Sequence, residues 1–425
     1  MKALAFNVNT AKFIAAKGLG AVFGDRVFYR GPLRTVRLTE IPEPEIRGPE
    51  WVKIKIQACG FCGSDLNLIR LHDSPTASPF TSFPCVIGHE MVGEILETGK
   101  NVDTFKPGAR VVINPVLSCE ARGISSPCQS CVAGRPANCE NFAHGDLPPG
   151  MFIGIASQIN GGFAPIIIAH KSQLFNVPDS LSIESAVMTE PGAVALQSVF
   201  DNMPEAGAKV LVIGGGVIGN LLVQSIRALV PDCHISVIEP ADHAANLALE
   251  CGADVIIPAN KAFDYTGNIT DAKVYQPLLG MKITMGGFNR IYDTVASGKT
   301  LNMGLRLLKA MGKLSLVGIG GNVKLDLTPL WLKLQSIQGV YGSGAVTYKG
   351  QKRHVFDIAI EFLDAGLISA DKLVTHRFAL EDYKTMIEVN LNKKAHSAMK
   401  TIVVFYRWPQ SGFVSVRLDV THTIE

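Results

Sequence analysis

The 425-residue sequence contains no uninterrupted apolar run of about 18 residues, the length a membrane-spanning helix requires. No membrane span is therefore expected. Residues 1–7 turn polar too soon for the apolar core of a secretion signal. An excess of charge is also missing: 40 Lys and Arg face 37 Asp and Glu, a net of +3, with no dense basic run. That balance argues against a nucleic-acid partner. What the chain does have is glycine (41 residues), a 47% apolar content and nine cysteines. At this length two domains are expected rather than one core. Four of the cysteines cluster in a pattern that suits metal better than disulfides, which places the chain in a reducing cytoplasm.

The most informative stretch is 210–219, Val-Leu-Val-Ile-Gly-Gly-Gly-Val-Ile-Gly. A buried strand runs into Gly214, Gly216 and Gly219, with Val217 and Ile218 completing the turn, and an apolar helix follows. Unpaired N–H groups and the partial positive charge at the start of that helix suit a pyrophosphate. Gly214 allows the tight turn, Gly216 lets phosphate approach the backbone, and Gly219 lets helix and strand pack closely. A second strand, 234–238, ends at Glu239, 20 residues after Gly219. There an acidic side chain accepts hydrogen bonds from ribose hydroxyls and repels a 2′-phosphate. No Arg or Lys follows in 240–250, so the expected cofactor is NAD rather than NADP.

Earlier in the chain, residues 1–6 and 51–56 read as strands, and 27–29 with 35–38 as a hairpin around Gly31 and Pro32. Residues 7–26 show no clear period. Then come Cys59-Gly60-Phe61-Cys62-Gly63-Ser64-Asp65 and, after a loop, Gly88-His89-Glu90. Cys59 and Cys62 alone fit a redox pair or half a zinc site. One Cys, one His and one carboxylate in two tight turns suggest an open zinc site, because catalytic zinc keeps a position for water or substrate. Further on, Cys119, Cys128, Cys131 and Cys139 supply four thiolates, the donor set of a closed structural zinc site.

In these motifs and their order, nearly the whole chain resembles the zinc-dependent medium-chain alcohol dehydrogenase family, in its polyol- and threonine-dehydrogenase-like branch. The resemblance implies an α/β protein: a Rossmann doubly wound parallel sheet domain plus a β-rich GroES-like catalytic domain. It implies a catalytic domain over 1–190 with a zinc lobe at 115–142, an NAD-binding domain over 191–342, and a return to the catalytic domain over 343–425. Cys62 and His89 become zinc ligands, with Glu90 beside the metal as ligand or near-ligand. Ser64 would hydrogen-bond the substrate oxygen, Asp65 would orient the histidine, and Cys59 becomes a packed neighbour. Glu190, in a Glu-Pro pair, would be a further ligand, direct or through water. Lys400 would reach the cofactor phosphates. The first gap of the cysteine lobe is six residues longer than the family's, within 120–127, a lengthening that costs little closure entropy.

One departure concerns proton transfer. The family often carries a histidine where this chain has Asn67, which cannot titrate. A relay would run through water, through Ser64 and the cofactor ribose, or through Glu90, with His72 as a candidate.

Strands are expected at 161–169, 174–178, 210–213, 234–238, 255–257, 290–293, 313–317 and 336–340. Helices are expected at 185–202 and 354–366, and a strand at 413–418. The implied activity is hydride transfer between an alcohol and NAD, assisted by one catalytic and one structural zinc, in a homodimer or homotetramer. Two other readings stand beside it: a dismutase-like enzyme with tightly held NAD, and a non-catalytic binding protein on the same scaffold. Glu90 and Glu190 lean towards secondary alcohols, polyols or hydroxy amino acids, while Phe61, Phe80 and Phe83 lean towards an apolar substrate.

Overall fold

The computed structural model describes residues 1–405, so the strand expected at 413–418 lies outside the described residues. Strand β1 (Lys2–Phe6) is followed by helix α1 (Thr10–Phe23) and then by strand β2 (Val36–Glu40). Helix α1 begins at Asn9, whose Oδ1 accepts the Lys12 N–H at 2.9 Å, and stops at Gly24, where φ is +75°. Its pattern is unreadable in the sequence for a physical reason. Only Ala16 of the helix is buried, whereas Ile14, Val22 and Phe23 face solvent, so no apolar stripe marks an inner face. The expected hairpin around Gly31 and Pro32 does not form. Residues Asp25–Phe28 make a short 3-10 turn, and β2 pairs with β1 instead, from Lys2↔Glu40 to Phe6↔Val36.

The catalytic half is built on the long strand β3 (Trp51–Phe61), the short helix α2 (Gly63–Ile69), and strands β4 (Cys85–Val86), β5 (Glu90–Thr98), β6 (Arg110–Ile113), β7 (Ile166–His170) and β8 (Leu174–Asn176). β4 adds to β1, making the sheet β2-β1-β4. β3 pairs with β5 along most of its length and with β7 through its first half. Between these sheets lies an apolar core that includes Leu4, Phe6, Ile54, Ile56, Phe61, Ile87 and Phe163.

The second half is a parallel sheet: β9 (Lys209–Ile213), β10 (His234–Ile238) and β11 (Val255–Ile256), then, after a small hairpin of β12 (Lys273–Tyr275) and β13 (Ile283–Met285), β14 (Phe288–Asp293), β15 (Leu308–Leu316) and β16 (Ser336–Gly339). The order is β11-β10-β9-β14-β15-β16, parallel throughout. Strand order reverses between β9 and β14, so a crevice opens at their carboxyl ends. Val210, Leu211, Val212 and Ile213 are all buried, as expected of a strand covered on both faces.

The chain returns through the hairpin β17 (Ala345–Tyr348) and β18 (Gln351–His354), the helix Val355–Asp364, and strands β19 (Val374–Phe378) and β20 (Lys400–Val404). β20 inserts beside β3 and completes the order β19-β20-β3-β5-β6-β8. The helices Thr189–Asp201, Val217–Leu229 and Val355–Asp364 share one core with Ala58, Val92 and Val112 of the catalytic sheet. That continuous apolar seam fixes the first turn of Thr189–Asp201 against the catalytic half.

His354 caps the helix Val355–Asp364: its Nδ1 accepts the Phe356 N–H at 3.2 Å, and Asn114 lies 3.4 Å from Nε2. Burial against Phe175 and Phe356 pushes its pKa down to about 4. The unfolded chain titrates this imidazole near 6.5, so the unfolded state takes up the proton first as pH falls. Stability contributed by His354 is full above pH 6.5 and is lost as pH drops towards 4, by about 2 kcal/mol at pH 5. Urea unfolding at pH 7 and pH 5 is expected to show a smaller acid-induced loss in His354→Gln than in the parent chain.

Candidate active site and metal centres

Where β3 ends, Cys62 is extended (φ −91°, ψ 158°) and opens α2. Its backbone N–H donates to Asp65 Oδ2 at 2.9 Å, and Asp65 Oδ1 lies 3.4 Å from His89 Nδ1. One buried carboxylate thus fixes both the turn that carries the thiol and the ring of the histidine. Asp65 is placed to accept a proton from Nδ1, so that in the neutral imidazole the lone pair is on Nε2. Ser64 Oγ stands 3.3 Å from that Nε2. Burial works against an imidazolium at His89, yet Asp65 and Cys62 together push its pKa well above the ordinary value.

Close approach here depends on glycine. Gly60 pairs with Glu90 across β3 and β5, and a Cβ on Gly60 would collide with the Glu90 carboxylate. Gly88 has φ +94°, and a Cβ there would meet Cys59 Sγ at 2.9 Å. Cys59 is a fully buried neighbour, its thiol pushed up chiefly by burial. Lys400, on the other flank of β3, places Nζ 2.6 Å from both oxygens of Glu90. Both side chains are buried. Lys400, expected at the cofactor phosphates, is therefore held at the metal cluster by Glu90.

Donor atoms of Cys62, His89 and Glu90 all lie within 4.8 Å of one another. Glu190 stands in the first turn of Thr189–Asp201 and has no hydrogen-bond or ion-pair partner among the described residues. Burial pushes its carboxyl up to about 7, against the pull of His89 and with the push of Glu90. A soft thiolate, an imidazole with its second nitrogen anchored, and the Glu90 carboxylate form a donor set that zinc accepts, and Glu190, expected as a further ligand, is not among the converging donors.

Phe152 packs edge-on against His89 with ring centroids 5.2 Å apart, and Tyr341 lies 6.3 Å beyond Phe152. Neither is marked by a motif, since both arrive from segments far along the chain. The phenylalanines expected at the pocket pack elsewhere. Phe61 is buried and stacked on Phe163, Phe83 meets Phe6, and Phe80 lies against Phe142. Aromatic walls thus come from Phe152 and Tyr341.

The second cluster joins Cys119, Cys128, Cys131 and Cys139, whose sulfurs all lie within 4.8 Å. Four sulfurs about 2.3 Å from a zinc ion lie about 3.8 Å apart, and Cys119 and Cys139 are 3.6 Å apart. Burial raises the Cys128 thiol, but the backbone N–H groups of Cys131 and Glu140 outweigh it and bring the pKa down to about 7. These groups favour the thiolate that zinc requires. The lengthened first gap carries Arg122, which is fully buried and donates to the carbonyls of Leu117, His144, Leu147, Pro148 and Gly150. The extra residues thus brace the lobe.

At the crevice, Gly214 has φ +96° and a Cβ on Gly219 would collide with the Gly214 carbonyl. Beside Gly216, by contrast, a Cβ would meet nothing within 4 Å, leaving open space in front of the helix start at Val217 and Ile218. Glu239 accepts the N–H groups of Gly215 and Ala241, each at 2.8 Å. Asp293, at the end of β14, receives the Val295 and Ala296 N–H groups, while its carbonyl accepts from Val317 and Gly318. Two loops are thereby drawn together beside the glycine turn.

Two family models match the chain: an alcohol dehydrogenase GroES-like domain over residues 48–179 and a zinc-binding dehydrogenase domain over 217–364. The (R,R)-butanediol dehydrogenase of Bacillus subtilis is 27% identical over 82% of this chain and 91% of its own. Its crystal structure superposes with a TM-score of 0.69 over 87% of this chain and 96% of that one. The sorbitol dehydrogenase of the same organism is 27% identical over 87% of this chain and 94% of its own. A Sinorhizobium meliloti structure assigned as a zinc-binding dehydrogenase and bound to NADP is 27% identical, with a TM-score of 0.68 over 87% and 95% of the two chains.

Removing Lys400 leaves the Glu90 carboxylate buried without a counter-ion. Lys400→Met is expected to destabilise the chain by about 3–5 kcal/mol, with much of that recovered in the Lys400→Met/Glu90→Gln double variant. Urea unfolding of the four proteins measures this; additive losses would show that the pair does not interact.

Proposed function

We propose, from the premise that the chain belongs to the zinc-dependent medium-chain alcohol dehydrogenase family, that it interconverts a secondary alcohol or polyol and its ketone, with NAD as the hydride carrier. The observation that carries this reading is the convergence of Cys62, His89 and Glu90 with Asp65 locking the histidine tautomer. Cys62, His89 and a carboxylate from Glu90 or Glu190 would hold the catalytic zinc, and the four lobe cysteines a structural one. Bound there, zinc supplies Lewis acidity toward the alcohol oxygen and the nicotinamide supplies the hydride acceptor.

The chain's own residues do the rest. Asp65 keeps a proton at His89 Nδ1, so the imidazole offers Nε2 as a neutral ligand. Lys400 fixes the orientation of the Glu90 side chain through contacts to both of its oxygens. Ser64 Oγ receives the substrate hydroxyl at the mouth of the ligand set. Asn67 offers no proton site, which leaves Ser64 as the nearest hydroxyl able to hold the alcohol proton. Phe152 packs edge-on against His89 and covers that side of the imidazole. A non-catalytic scaffold would have no use for this assembly, and a dismutase-like reaction has no observation in its favour.

Glu239 supports NAD over NADP. Its carboxylate sits against the glycine turn, where it meets ribose hydroxyls and repels a 2′-phosphate. The proposed limits 1–190, 191–342 and 343–425 are supported by β9 to β16, which span residues 209–339 and so fall inside the middle unit. A homodimer or homotetramer is supported by the edge position of β16 and by Trp331, Leu332 and Leu334, exposed just before it. All nine cysteines are free, which suits the cytoplasm.

The test is NADH formation from secondary alcohols, polyols, primary alcohols and β-hydroxy amino acids, with and without a zinc chelator. Chelator-sensitive turnover of secondary alcohols or polyols is expected, and Cys62→Ala should lose at least about a thousandfold in kcat/KM while keeping the lobe zinc. Normal turnover by Cys62→Ala would overturn the metal assignment. A kcat/KM ratio favouring NADP over NAD would overturn the role of Glu239.

A further inference from the structure

A cavity of about 420 Å³ lies on the outer face of the sheet β2-β1-β4, away from the metal ligands. Paired residues in an antiparallel sheet share a face. Ala5 pairs with both Arg37 and Val86, and Ala3 pairs with Thr39, so these five point to the cavity side. Leu4, Phe6 and Val36 alternate to the other side and enter the catalytic core. A layer of apolar side chains therefore separates the cavity from Cys62 and His89.

Three cationic side chains from three elements border it: Lys12 from α1, Arg34 from the loop before β2, and Arg37 from β2. No Asp or Glu is among the lining residues. Lys12 Nζ donates to the Asn7 carbonyl at 2.9 Å, and Arg34 Nη1 to the Gly31 carbonyl at 2.8 Å, which leaves other N–H groups of each free. Arg37 has no hydrogen-bond or ion-pair partner among the described residues. Burial, then Arg37 and Arg34, lower the Lys12 pKa, as expected where like charges face one another without compensation. Two further features suit a ligand. Thr39 Oγ1 is buried with no hydrogen-bond partner among the described residues, and Gln158 lines the same cavity with φ +64°, a backbone conformation that side-chain-bearing residues rarely adopt.

We propose that this cavity is a second binding site, for the phosphoryl group of a small anion. Clustered Arg and Lys N–H donors match a tetrahedral dianion, with Arg presenting its planar fork and Lys a point charge. The volume takes a free phosphate or a sugar-sized phosphate monoester. The small side chain of Ala5 leaves the floor open, and α1 contributes Lys12 to the lining. That gives a physical role to a helix whose apolar residues are mostly exposed.

The experiment is isothermal titration calorimetry of the full chain, zinc-loaded, with orthophosphate and with glucose 6-phosphate at constant ionic strength. One-to-one saturable binding is expected for at least one probe. Arg34→Ala and Arg37→Ala should each weaken it about tenfold or more, and Arg37→Lys should retain most of it. Tighter binding of the ester marks a metabolite site, and equal binding marks a site for phosphate itself. Cys62→Ala should leave binding unchanged, which separates this site from the catalytic one. No saturable heat with either probe, equal displacement by chloride, or full binding by both arginine variants would overturn the proposal. Melting temperatures measured without phosphate establish that each variant is folded.

Discussion

A single buried carboxylate, Asp65, ties together the parts of the catalytic site. Its two oxygens serve the Cys62 N–H and the His89 ring at once, so the thiol turn and the histidine turn cannot move independently. The first contact orients a strand-to-helix turn; the second selects a tautomer. Both follow from a three-residue spacing that any helix start can provide, but only the chain's return through Gly88 brings the imidazole within reach. Gly60 and Gly88 are where backbone must approach closely, the first against the Glu90 carboxylate and the second against Cys59 and Phe163 of the core.

The same economy of contact governs the crevice. Gly219 lets its helix start against the Gly214 carbonyl, and Glu239 closes the turn by accepting two backbone N–H groups. A carboxylate with two backbone donors stays oriented whether or not a ribose is present. The apolar seam through Thr189–Asp201 then couples this half to the other, because Glu190 begins the helix whose remaining residues fill the shared core. A cofactor crevice and a metal cluster built on separate sheets are thereby held in one fixed relation.

What was legible in the sequence is what is local. Cys62 to Asp65, His89 with Glu90, the four lobe cysteines and the glycine turn each declare their chemistry within a few residues. The parallel strands were legible because burial on both faces leaves continuous apolar runs. Helix α1 was not, since its apolar residues are exposed and carry no inward stripe. Phe152 was not, because its meeting with His89 depends on how a long loop folds back. Arg122 read as an ordinary charge in a lengthened loop, and only the folded lobe shows five carbonyls converging on it. The false hairpin near Gly31 has the same origin: turn residues were present, but β1 was a better partner for β2 than a neighbouring segment.

Lys400 illustrates how long-range contact reassigns a residue's chemistry. Read locally, it is a cation near the end of the chain, suited to a phosphate. Folded, it lies 2.6 Å from both oxygens of Glu90, 310 positions away, and burial makes that pairing costly to break. A cation held so closely has little charge left to offer elsewhere. What the crevice itself offers an anion is the set of N–H groups at the start of Val217–Leu229, with open space beside Gly216. Of the two carboxylates near the cluster, Glu90 is thus the one with a buried counter-ion, whereas Glu190 has no hydrogen-bond or ion-pair partner among the described residues. Charge placed by β20 thus sets, from the far end of the chain, which of the two acidic residues carries a direct ion-pair partner.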